Sequence, residues 1–285
     1  MNKLKLFSPA KLNLFLKVVN KRPDGYHNIE TLFQRISLGD EIVLTKNAQG
    51  RISVTCDHPD VPLDMRNLVY KVADLLKRDL NVKWGVKIDI KKRIPVAAGL
   101  AGGSGNAATV IKGLNQLWDL KLEQKQQIEY GRQIGSDVAF FLYDTPWALG
   151  TGRGDIIRKL NIKNKLWYVI ITPCIKLYTP EIYQGLNLPL TNKNVDVSIL
   201  IQNLKYNRLE TLKSLLVNDL ETVILKVSPR LQAIKENLGL FDIKGVLISG
   251  SGPSVYAVVE DQAKAREIAQ RFSKRFKQVF VAHTL

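Results

Sequence analysis

The stretch Pro95-Val-Ala-Ala-Gly-Leu-Ala-Gly-Gly-Ser-Gly-Asn-Ala-Ala108 decides how this chain folds. It follows residues 86–90, whose alternating pattern predicts a half-buried strand, and it precedes apolar residues at helical spacing up to Trp118. Glycines at such a junction let the backbone approach a ligand closely, and the start of the helix adds partial positive charge. The sequence therefore predicts an anion site that would hold a phosphate well.

This stretch matches neither of the two best-known phosphate loops. No Lys-Ser or Lys-Thr pair follows the glycines, as a Walker A loop requires, and the spacing is not G-x-G-x-x-G. A flexible glycine linker is the structural alternative. Linkers rarely combine a proline start, a single serine and an immediate amphipathic helix, so the binding interpretation is favoured.

Composition is typical of a soluble globular protein. The 285 residues are enough for two lobes or one large domain, and a chain of this size buries roughly three quarters of its unfolded surface. Cys56 and Cys174 provide neither a disulfide framework nor zinc spacing, which favours a reducing, cytoplasmic location. Because no stretch resembles a signal segment or a membrane span, we expect no membrane partner.

The formal net charge of +16 raises the question of nucleic-acid binding. Basic residues are scattered through the chain, with short concentrations at 87–93 and 159–165. No helix-turn-helix or RNA-binding signature accompanies them. We therefore expect no nucleic-acid partner, and a basic surface that attracts a polyanionic small substrate explains the charge equally well.

Periodicity along the chain predicts a mixed α+β protein. Residues 11–18 alternate and lead into a Pro-Asp-Gly turn, so they should pair with a strand over about 27–37. Four aliphatic residues share one face of the first strand, which puts Lys11 and Asn13 together on the other. Further strands are predicted at 41–44, 51–55, 86–90, 167–172, 245–249 and 255–259, and helices at 67–79, 122–134, 196–202, 209–217, 229–238 and 262–276.

Polar and charged residues concentrate at 158–165 and predict a boundary between two lobes. The N-terminal domain then covers residues 1–160 and the C-terminal domain residues 161–285. The second domain contains another glycine-rich turn, Ser249-Gly-Ser-Gly-Pro-Ser254, for which a tight turn without a ligand is the structural alternative. Oligomeric state is open at this point.

Three motifs in order along the chain resemble those of the GHMP kinases, a group that includes galactokinase, homoserine kinase, mevalonate kinase and phosphomevalonate kinase. They are Pro9-Ala-Lys-Leu-Asn13, the stretch 95–108 and Gly250-Ser-Gly-Pro253. Shorter motifs make the chain similar to the branch that phosphorylates 4-diphosphocytidyl-2-C-methylerythritol in the non-mevalonate isoprenoid route: Arg22-Pro-Asp-Gly-Tyr-His27, Thr31-Leu-Phe-Gln34, Gly135-Ser-Asp-Val138 and Thr179-Pro180.

The resemblance covers nearly the whole chain and implies a two-lobe α+β GHMP kinase fold. Its N-terminal lobe would be like a ribosomal-protein domain and its C-terminal lobe ferredoxin-like. Catalysis is implied at Lys11 and Asp137. ATP is implied on a phosphate loop and in an adenine pocket formed by Pro95, Val96, Ala97, Ala98, Gly99, Leu100, Ala101, Gly102, Gly103, Ser104, Gly105, Asn67, Leu68 and Lys92. The small-molecule substrate is implied at Asn13, Tyr26, His27, Thr179 and Tyr183.

The phosphate loop departs from the usual pattern of the group. Ala97, Ala98 and Ala101 stand where glycines are common, Gly105 stands where a second serine is common, and Ala139 stands where proline is frequent. Since these changes are small, we expect the loop still to close on the triphosphate. Magnesium (Mg²⁺) should bridge the phosphates. Ser104 is one possible protein ligand for it, no carboxylate is assigned, and a helpful hydroxyl is missing at position 105.

The implied roles follow the chemistry of phosphoryl transfer. Asp137 would take the proton of the acceptor hydroxyl, while Lys11 keeps Asp137 ionised and balances the developing charge. Without the resemblance, Lys11 would be a solvated charge and Asp137 a cap of the next element. The tyrosines Tyr26 and Tyr183 would be partly buried core, and His27 an ordinary strand histidine.

Two functional alternatives stay open at this point. A sister kinase of the same fold would act on mevalonate or homoserine, and a non-catalytic protein would bind a nucleotide or RNA. The Tyr26-His27 pair after the Pro-Asp-Gly turn argues for the cytidine substrate. Intact Lys11 and Asp137 argue against a protein without catalytic activity.

Overall fold

A computed structural model describes residues 2–187 and 195–285, and these ranges form a mixed α and β protein. The strands are β1 (Lys3–Lys21), β2 (His27–Asn47), β3 (Ile52–Cys56), β4 (Gly85–Lys91), β5 (Trp147–Thr151), β6 (Ile156–Lys159), β7 (Trp167–Ile171), β8 (Val217–Asn218), β9 (Gly245–Ile248), β10 (Val255–Val259) and β11 (Val279–His283). The helices are α1 (Leu68–Asp79), α2 (Gly102–Leu117), α3 (Gln124–Ile134), α4 (Val138–Leu142), α5 (Thr179–Gln184), α6 (Val197–Lys205), α7 (Leu212–Leu215), α8 (Glu221–Val227), α9 (Pro229–Gly239) and α10 (Gln262–Ser273).

The strands form two sheets. The first has the order β3-β4-β2-β1-β8, with β5 paired to β2 and β6 paired to β5. The second has the order β11-β7-β10-β9 and is antiparallel throughout. Alternate residues of its central strands, among them Val169 and Ala257, face the helices α9 and α10 and build a common core with Leu231 and Ile268. No helix in the described ranges is long and apolar enough to cross a bilayer.

The first two strands are longer than the alternation predicts. β2 continues through residues 41–44, which the sequence predicts as a separate strand. Both faces of β1 are covered, because Leu12 and Leu14 are fully buried on one face and Lys11 and Asn13 are 4% and 2% exposed on the other. The polar pair predicted for one strand face is therefore inside the protein and must find its partners there.

Packing divides the described chain into two compact units. The first contains the segments up to Ala10, Gly39–Val96 and Ala101–Asp144, and the second contains Lys11–Leu38, Ala97–Leu100 and the described residues from Thr145 onward. Each unit draws on β1, on β2 and on the phosphate loop. The units thus combine segments from distant parts of the sequence, and the division into domains 1–160 and 161–285 stays a prediction.

Helix α2 begins where the glycine-rich stretch predicts it, but with an unusual backbone. Ala101 precedes its first residue with φ of 52° and ψ of 33°, and no side chain caps the helix. Ala97 also has a φ of 52°. Left-handed backbone costs an L-residue roughly 1–2 kcal/mol, so both alanines occupy positions that suit glycine better.

One of the predicted helices is wrong in part. Residues 209–217 are predicted as one helix, whereas the structure has the short α7 followed by the strand β8. Val217 and Asn218 pair in parallel with Phe15 and Leu16 of β1, and this long-range pairing overrides the local helical pattern. The predicted helix over 67–79 is confirmed as α1.

We predict that Ala101→Gly stabilises the protein. The substitution relieves the left-handed strain, and this gain exceeds the added entropy of the unfolded chain, so the free energy of unfolding should rise by roughly 0.5–1 kcal/mol. Ala108→Gly, inside α2, is the control and should lower it by at least about 1 kcal/mol. Urea denaturation measures both, and a loss of stability in Ala101→Gly would contradict the prediction.

Candidate active site

Lys11 and Asn13 are brought together on β1, as the alternation predicts. The Lys11 ammonium group donates to Asn13 Oδ1 at 2.5 Å, and Asn13 Nδ2 donates to Thr31 Oγ1 at 2.7 Å. The ammonium group also lies 5.4 Å from the centroid of the Phe33 ring. A cation in a buried site is stabilised by such an oriented amide dipole and by the negative face of an aromatic ring.

The segment Ala97–Leu100 of the phosphate loop is held through its carbonyl groups. The Lys11 N–H donates to the carbonyl of Leu100 at 3.1 Å, and Ser249 Oγ donates to the carbonyl of Gly99 at 2.9 Å. The Ser254 N–H adds a contact of 3.3 Å to the carbonyl of Ala98. Three motifs that are distant in sequence thus meet at this segment within one compact unit.

Close backbone approach explains two of the glycines at this meeting point. Gly99 has a φ of +75°, and a Cβ there would lie 2.1 Å from the carbonyl oxygen of Ser249. A Cβ on Gly250 would lie 3.3 Å from Asn13 Oδ1 and 3.5 Å from Lys11 Nζ. The turn 249–254 is therefore packed against the loop and the polar pair, which the interpretation as a tight turn alone does not require.

Asn218 holds this glycine-rich turn and was not singled out from the sequence. Its Nδ2 donates to the carbonyls of Ile248 and Gly250, each at 2.8 Å. On the same unit, the hydroxyl of the fully buried Tyr256 donates to the carbonyl of Asn13 at 2.8 Å. Neither residue belongs to a motif with recognisable spacing, so no sequence signal pointed to them.

A third residue that sequence reasoning missed is Asp40, which is fully buried in the other unit. Its Oδ1 accepts hydrogen bonds from the backbone N–H groups of Arg93 and Ile94, each at 2.8 Å. Its Oδ2 accepts from Lys92 Nζ at 2.7 Å and from Asn106 Nδ2 at 2.9 Å. One carboxylate thus links the segment that enters the phosphate loop to the second turn of α2.

Three residues carry the predicted adenine pocket, and the structure places all of them in the first unit. The Lys92 ammonium group is bonded to Asp40 and to the carbonyl of Ile94, the latter at 2.5 Å. Asn67 is the N-cap of α1, with its oxygen on the Val69 N–H at 3.1 Å. Leu68 is the nearest contact, at 3.8 Å, for a Cβ built on Gly103. Their contact with adenine stays a prediction.

The start of α2 is open at Gly103 and closed at Gly105. A Cβ on Gly103 meets only one carbon within 4 Å. A Cβ on Gly105 would lie 2.7 Å from the carbonyl oxygen of Pro9 and 3.2 Å from Ser8 Oγ. The first position leaves room beside the helix terminus, and the second has no room for a side chain such as serine.

Asp137 is half-buried at the N-cap position of α4, where the five residues Val138–Leu142 that follow it are all buried. Its side chain makes no capping hydrogen bond. The alternative that Asp137 serves as the cap of this helix is therefore not what the structure shows.

The aromatic residues predicted to bind the substrate are partly assembled. The rings of His27 and Tyr183 have centroids 5.2 Å apart and planes inclined by 30°. Tyr26 is 55% exposed, with the Arg153 guanidinium 5.1 Å from its ring centroid. Thr179 Oγ1 lies 2.7 Å from Ser251 Oγ of the glycine-rich turn. The ring pair, Tyr26 and the two hydroxyl groups all belong to the same compact unit.

Burial lowers the pKa of the His27 imidazole below its ordinary value of 6.5, and the positive charge of Lys21 lowers it further. His27 is only 9% exposed. At neutral pH the ring is therefore neutral, with one nitrogen that donates and one that accepts. A neutral imidazole can form hydrogen bonds as donor and as acceptor without placing a charge in this buried position.

The lowered pKa of His27 predicts a loss of stability in mild acid. As the pH falls below 6.5, the unfolded chain takes up a proton at His27 before the folded chain does, so the free energy of unfolding decreases. His27→Gln removes this component and should lose less stability between about pH 7.5 and 5.5 than the wild type. Urea denaturation at both pH values tests this, and equal losses would contradict it.

Comparison with known proteins shows the family to which this chain belongs. Residues 67–145 match the model of the GHMP kinases N terminal domain, and residues 200–278 match that of the GHMP kinases C terminal. A 4-diphosphocytidyl-2-C-methyl-D-erythritol kinase from Bacillus velezensis is 44% identical over 92% of this chain and 90% of its own. A protein of the same name from Shouchella clausii is 42% identical over 93% and 89%.

Solved structures of GHMP kinases also match this chain. A crystal structure of a 4-(cytidine 5'-diphospho)-2C-methyl-D-erythritol kinase matches with a TM-score of 0.85 and 28% identity, over 98% of each chain. A homoserine kinase from Cytophaga hutchinsonii has a TM-score of 0.80 at 21% identity, over 100% of this chain and 95% of its own, and shares the fold alone. The two-lobe α+β GHMP kinase fold is thereby confirmed, and this chain belongs to the 4-diphosphocytidyl-2-C-methyl-D-erythritol kinase family of the GHMP kinases.

Proposed function

We propose that this chain transfers the γ-phosphoryl group of ATP to the 2-hydroxyl of 4-diphosphocytidyl-2-C-methylerythritol. The observation that carries the proposal is the ring pair of His27 and Tyr183 in the same compact unit as the buried Lys11 and Asn13. A pair of aromatic rings and a polar pair in one unit suit a substrate with a base at one end and a hydroxyl at the other. The names of the relatives support the same substrate.

The reaction needs little covalent chemistry from the protein. The acceptor oxygen attacks the γ-phosphorus, the bond to the bridging oxygen of the β-phosphate breaks, and ADP leaves. In our proposal Asp137 takes the proton of the hydroxyl, and the ammonium group of Lys11 stabilises the charge that develops on the transferred group. Asn13 would fix the ammonium group and contact the substrate.

In our proposal ATP binds at the first turn of α2 and the loop before it. Gly102 and Gly103 lead the helix, whose free N–H groups carry partial positive charge, and the space beside Gly103 is open. Backbone N–H groups of the loop would hold the β-phosphate. The membership of the family makes ATP the nucleotide, whereas the contacts of Asn67, Leu68 and Lys92 with adenine belong to the proposal.

We propose that magnesium reaches the site bound to the triphosphate. Among residues 2–187 and 195–285, no cluster of three His, Cys, Asp or Glu side chains could hold a metal ion. Phosphate oxygens and water are ordinary ligands for Mg²⁺, and Ser104 at the start of α2 is the protein hydroxyl we assign to it. The ion would neutralise charge on the phosphates as the bond breaks.

A sister kinase for mevalonate or homoserine is the second candidate. The solved homoserine kinase and a solved mevalonate kinase from L. major, the latter with a TM-score of 0.77 at 17% identity over 99% of this chain and 97% of its own, share the fold alone. Neither of those substrates has an aromatic base, so neither gives the pair of His27 and Tyr183 a function.

We also infer a cytoplasmic protein with no nucleic-acid partner. The free thiols of Cys56 and Cys174 suit that location.

We predict that Asp137→Asn folds normally but loses most of its turnover. A positioned base is worth about 10²–10⁴-fold, so kcat should fall by about that factor while the affinity for ATP changes less than about twofold. Asp144→Asn, an exposed position just after α4, is the control and should keep its kcat. A loss of less than about tenfold in Asp137→Asn would remove this residue from the role of base.

We also predict that the chain requires the cytidine part of its substrate. Stacking on an aromatic ring is worth about 1–3 kcal/mol, so Tyr26→Ala should lower kcat/KM for the cytidine substrate roughly five- to 150-fold without changing the affinity for ATP. Tyr206→Ala is a matched control, because Tyr206 is also exposed and also lies against an arginine, Arg208. It should behave like the wild type.

The natural protein provides a direct test of the substrate. Offered 4-diphosphocytidyl-2-C-methylerythritol, mevalonate and homoserine with ATP and magnesium, it should phosphorylate only the first. Efficient turnover of mevalonate or homoserine would overturn the cytidine proposal and leave the fold untouched. Turnover of none of the three would favour a protein that only binds nucleotides.

A further inference from the structure

The motif Thr31-Leu-Phe-Gln34 has no role in the function proposed so far. It lies on β2 opposite β5, with Thr31 beside Gly150. Thr31 is fully buried, which is unusual for a hydroxyl unless its hydrogen bonds are made inside the protein. Since residues two apart on a strand share a face, Thr31 and Phe33 point to the same side of β2.

The hydrogen bonds of Thr31 have a fixed direction. Its Oγ1 donates its single proton to the carbonyl of Phe15 at 2.7 Å, because a carbonyl can only accept. The same oxygen must therefore act as acceptor toward Asn13 Nδ2, which lies 2.7 Å away. Thr31 thus requires the NH₂ end of the Asn13 amide to face it.

The oxygen end of the Asn13 amide faces a partner that needs an acceptor. The Lys11 ammonium group can only donate, and it lies 2.5 Å from Asn13 Oδ1. In the series of hydrogen bonds from Lys11 through Asn13 and Thr31 to Phe15, each donor therefore lies on the Lys11 side and each acceptor on the Phe15 side. The backbone carbonyl of Asn13 is fixed separately, by the hydroxyl of Tyr256 at 2.8 Å.

We propose that Thr31 is a positioning residue for phosphoryl transfer. Its hydroxyl fixes the orientation of the Asn13 amide, and the amide in turn holds the ammonium group of Lys11 at the place where charge develops. Phe33, on the same face of β2, holds the same ammonium group through its ring, 5.4 Å away. The proposal rests on the roles of Lys11 and Asn13 in the proposed function.

Thr31→Val tests this proposal with a side chain of nearly the same shape and no hydroxyl. A small displacement of a catalytic group can cost up to about 10²-fold, so kcat should fall about 10- to 100-fold with the KM for ATP changed less than about twofold. Thr31→Ser keeps the hydroxyl and should restore kcat to within about threefold of the wild type. If Thr31→Val does not fold, Thr31→Ala removes the same hydroxyl and serves in its place.

The matched control is Thr145→Val. Thr145 is also buried, and its hydroxyl also donates to a carbonyl and accepts from an N–H, both belonging to Trp147. This variant makes the same chemical change and removes the same number of hydrogen bonds. It should lose stability and keep its kcat, which separates positioning from a general loss of stability.

A double-mutant cycle with Asn13→Ala decides whether Thr31 acts through Asn13. If it does, Thr31→Val should lower kcat by less than about twofold in a chain that already carries Asn13→Ala. Independent, multiplicative losses in the two variants would overturn the proposal. An unchanged kcat in Thr31→Val alone would overturn it as well.

A measurement without substrate keeps this test separate from that of the proposed function. The side-chain NH₂ of Asn13, assigned by its absence in Asn13→Ala, should exchange slowly with solvent in the wild type and at least about tenfold faster in Thr31→Val. Equal exchange would overturn the proposal even in an active enzyme. If the wild type instead fails to phosphorylate the cytidine substrate, the proposed function fails, and the exchange result still decides whether Thr31 orients Asn13.

Discussion

Burial of the Lys11 ammonium group is the constraint on which the rest of this architecture depends. A charge removed from water costs several kcal/mol unless other groups replace its hydration. A residue on a strand finds partners at the next position on the same face and on the neighbouring strand. Asn13 is the first kind of partner, and Phe33 of β2 is the second. This explains why the motif has one residue between lysine and asparagine, and why β2 keeps Phe33 buried.

The phosphate loop is subject to a related constraint. A loop that presents N–H groups to an anion must place its carbonyl groups elsewhere, since buried carbonyls also need partners. The carbonyls of Ala98, Gly99 and Leu100 all accept hydrogen bonds, from Lys11 of the first motif and from the two serines that flank the third. The entry to the loop is fixed separately by Asp40. Gly99 of the loop permits this close packing, because a Cβ there would lie 2.1 Å from the carbonyl oxygen of Ser249.

Some of these features can be predicted from the sequence and others cannot, because only some of them depend on local patterns. Alternation along β1 is local, so it correctly places Lys11 and Asn13 on one face. It cannot predict that this face is buried, because the turn 249–254 that packs against the two side chains is distant in sequence. Asp40 is a lone carboxylate whose four partners lie more than fifty residues further along the chain, and no periodicity reports it. The short strand β8 was missed for the same reason.

The departures of the loop from its family pattern follow from packing. Alanine at positions 97 and 101 adopts a left-handed backbone conformation, which costs conformational free energy. Its methyl group offsets part of this cost because it restricts the conformations of the unfolded chain. Gly105 is different, because a Cβ there would lie 2.7 Å from the carbonyl oxygen of Pro9. Helix α2 thus rests directly on the backbone of β1, just before Lys11. A serine at this position would push the helix start away from the strand. Position 105 therefore lacks a hydroxyl because glycine allows close contact between helix α2 and the strand that carries Lys11.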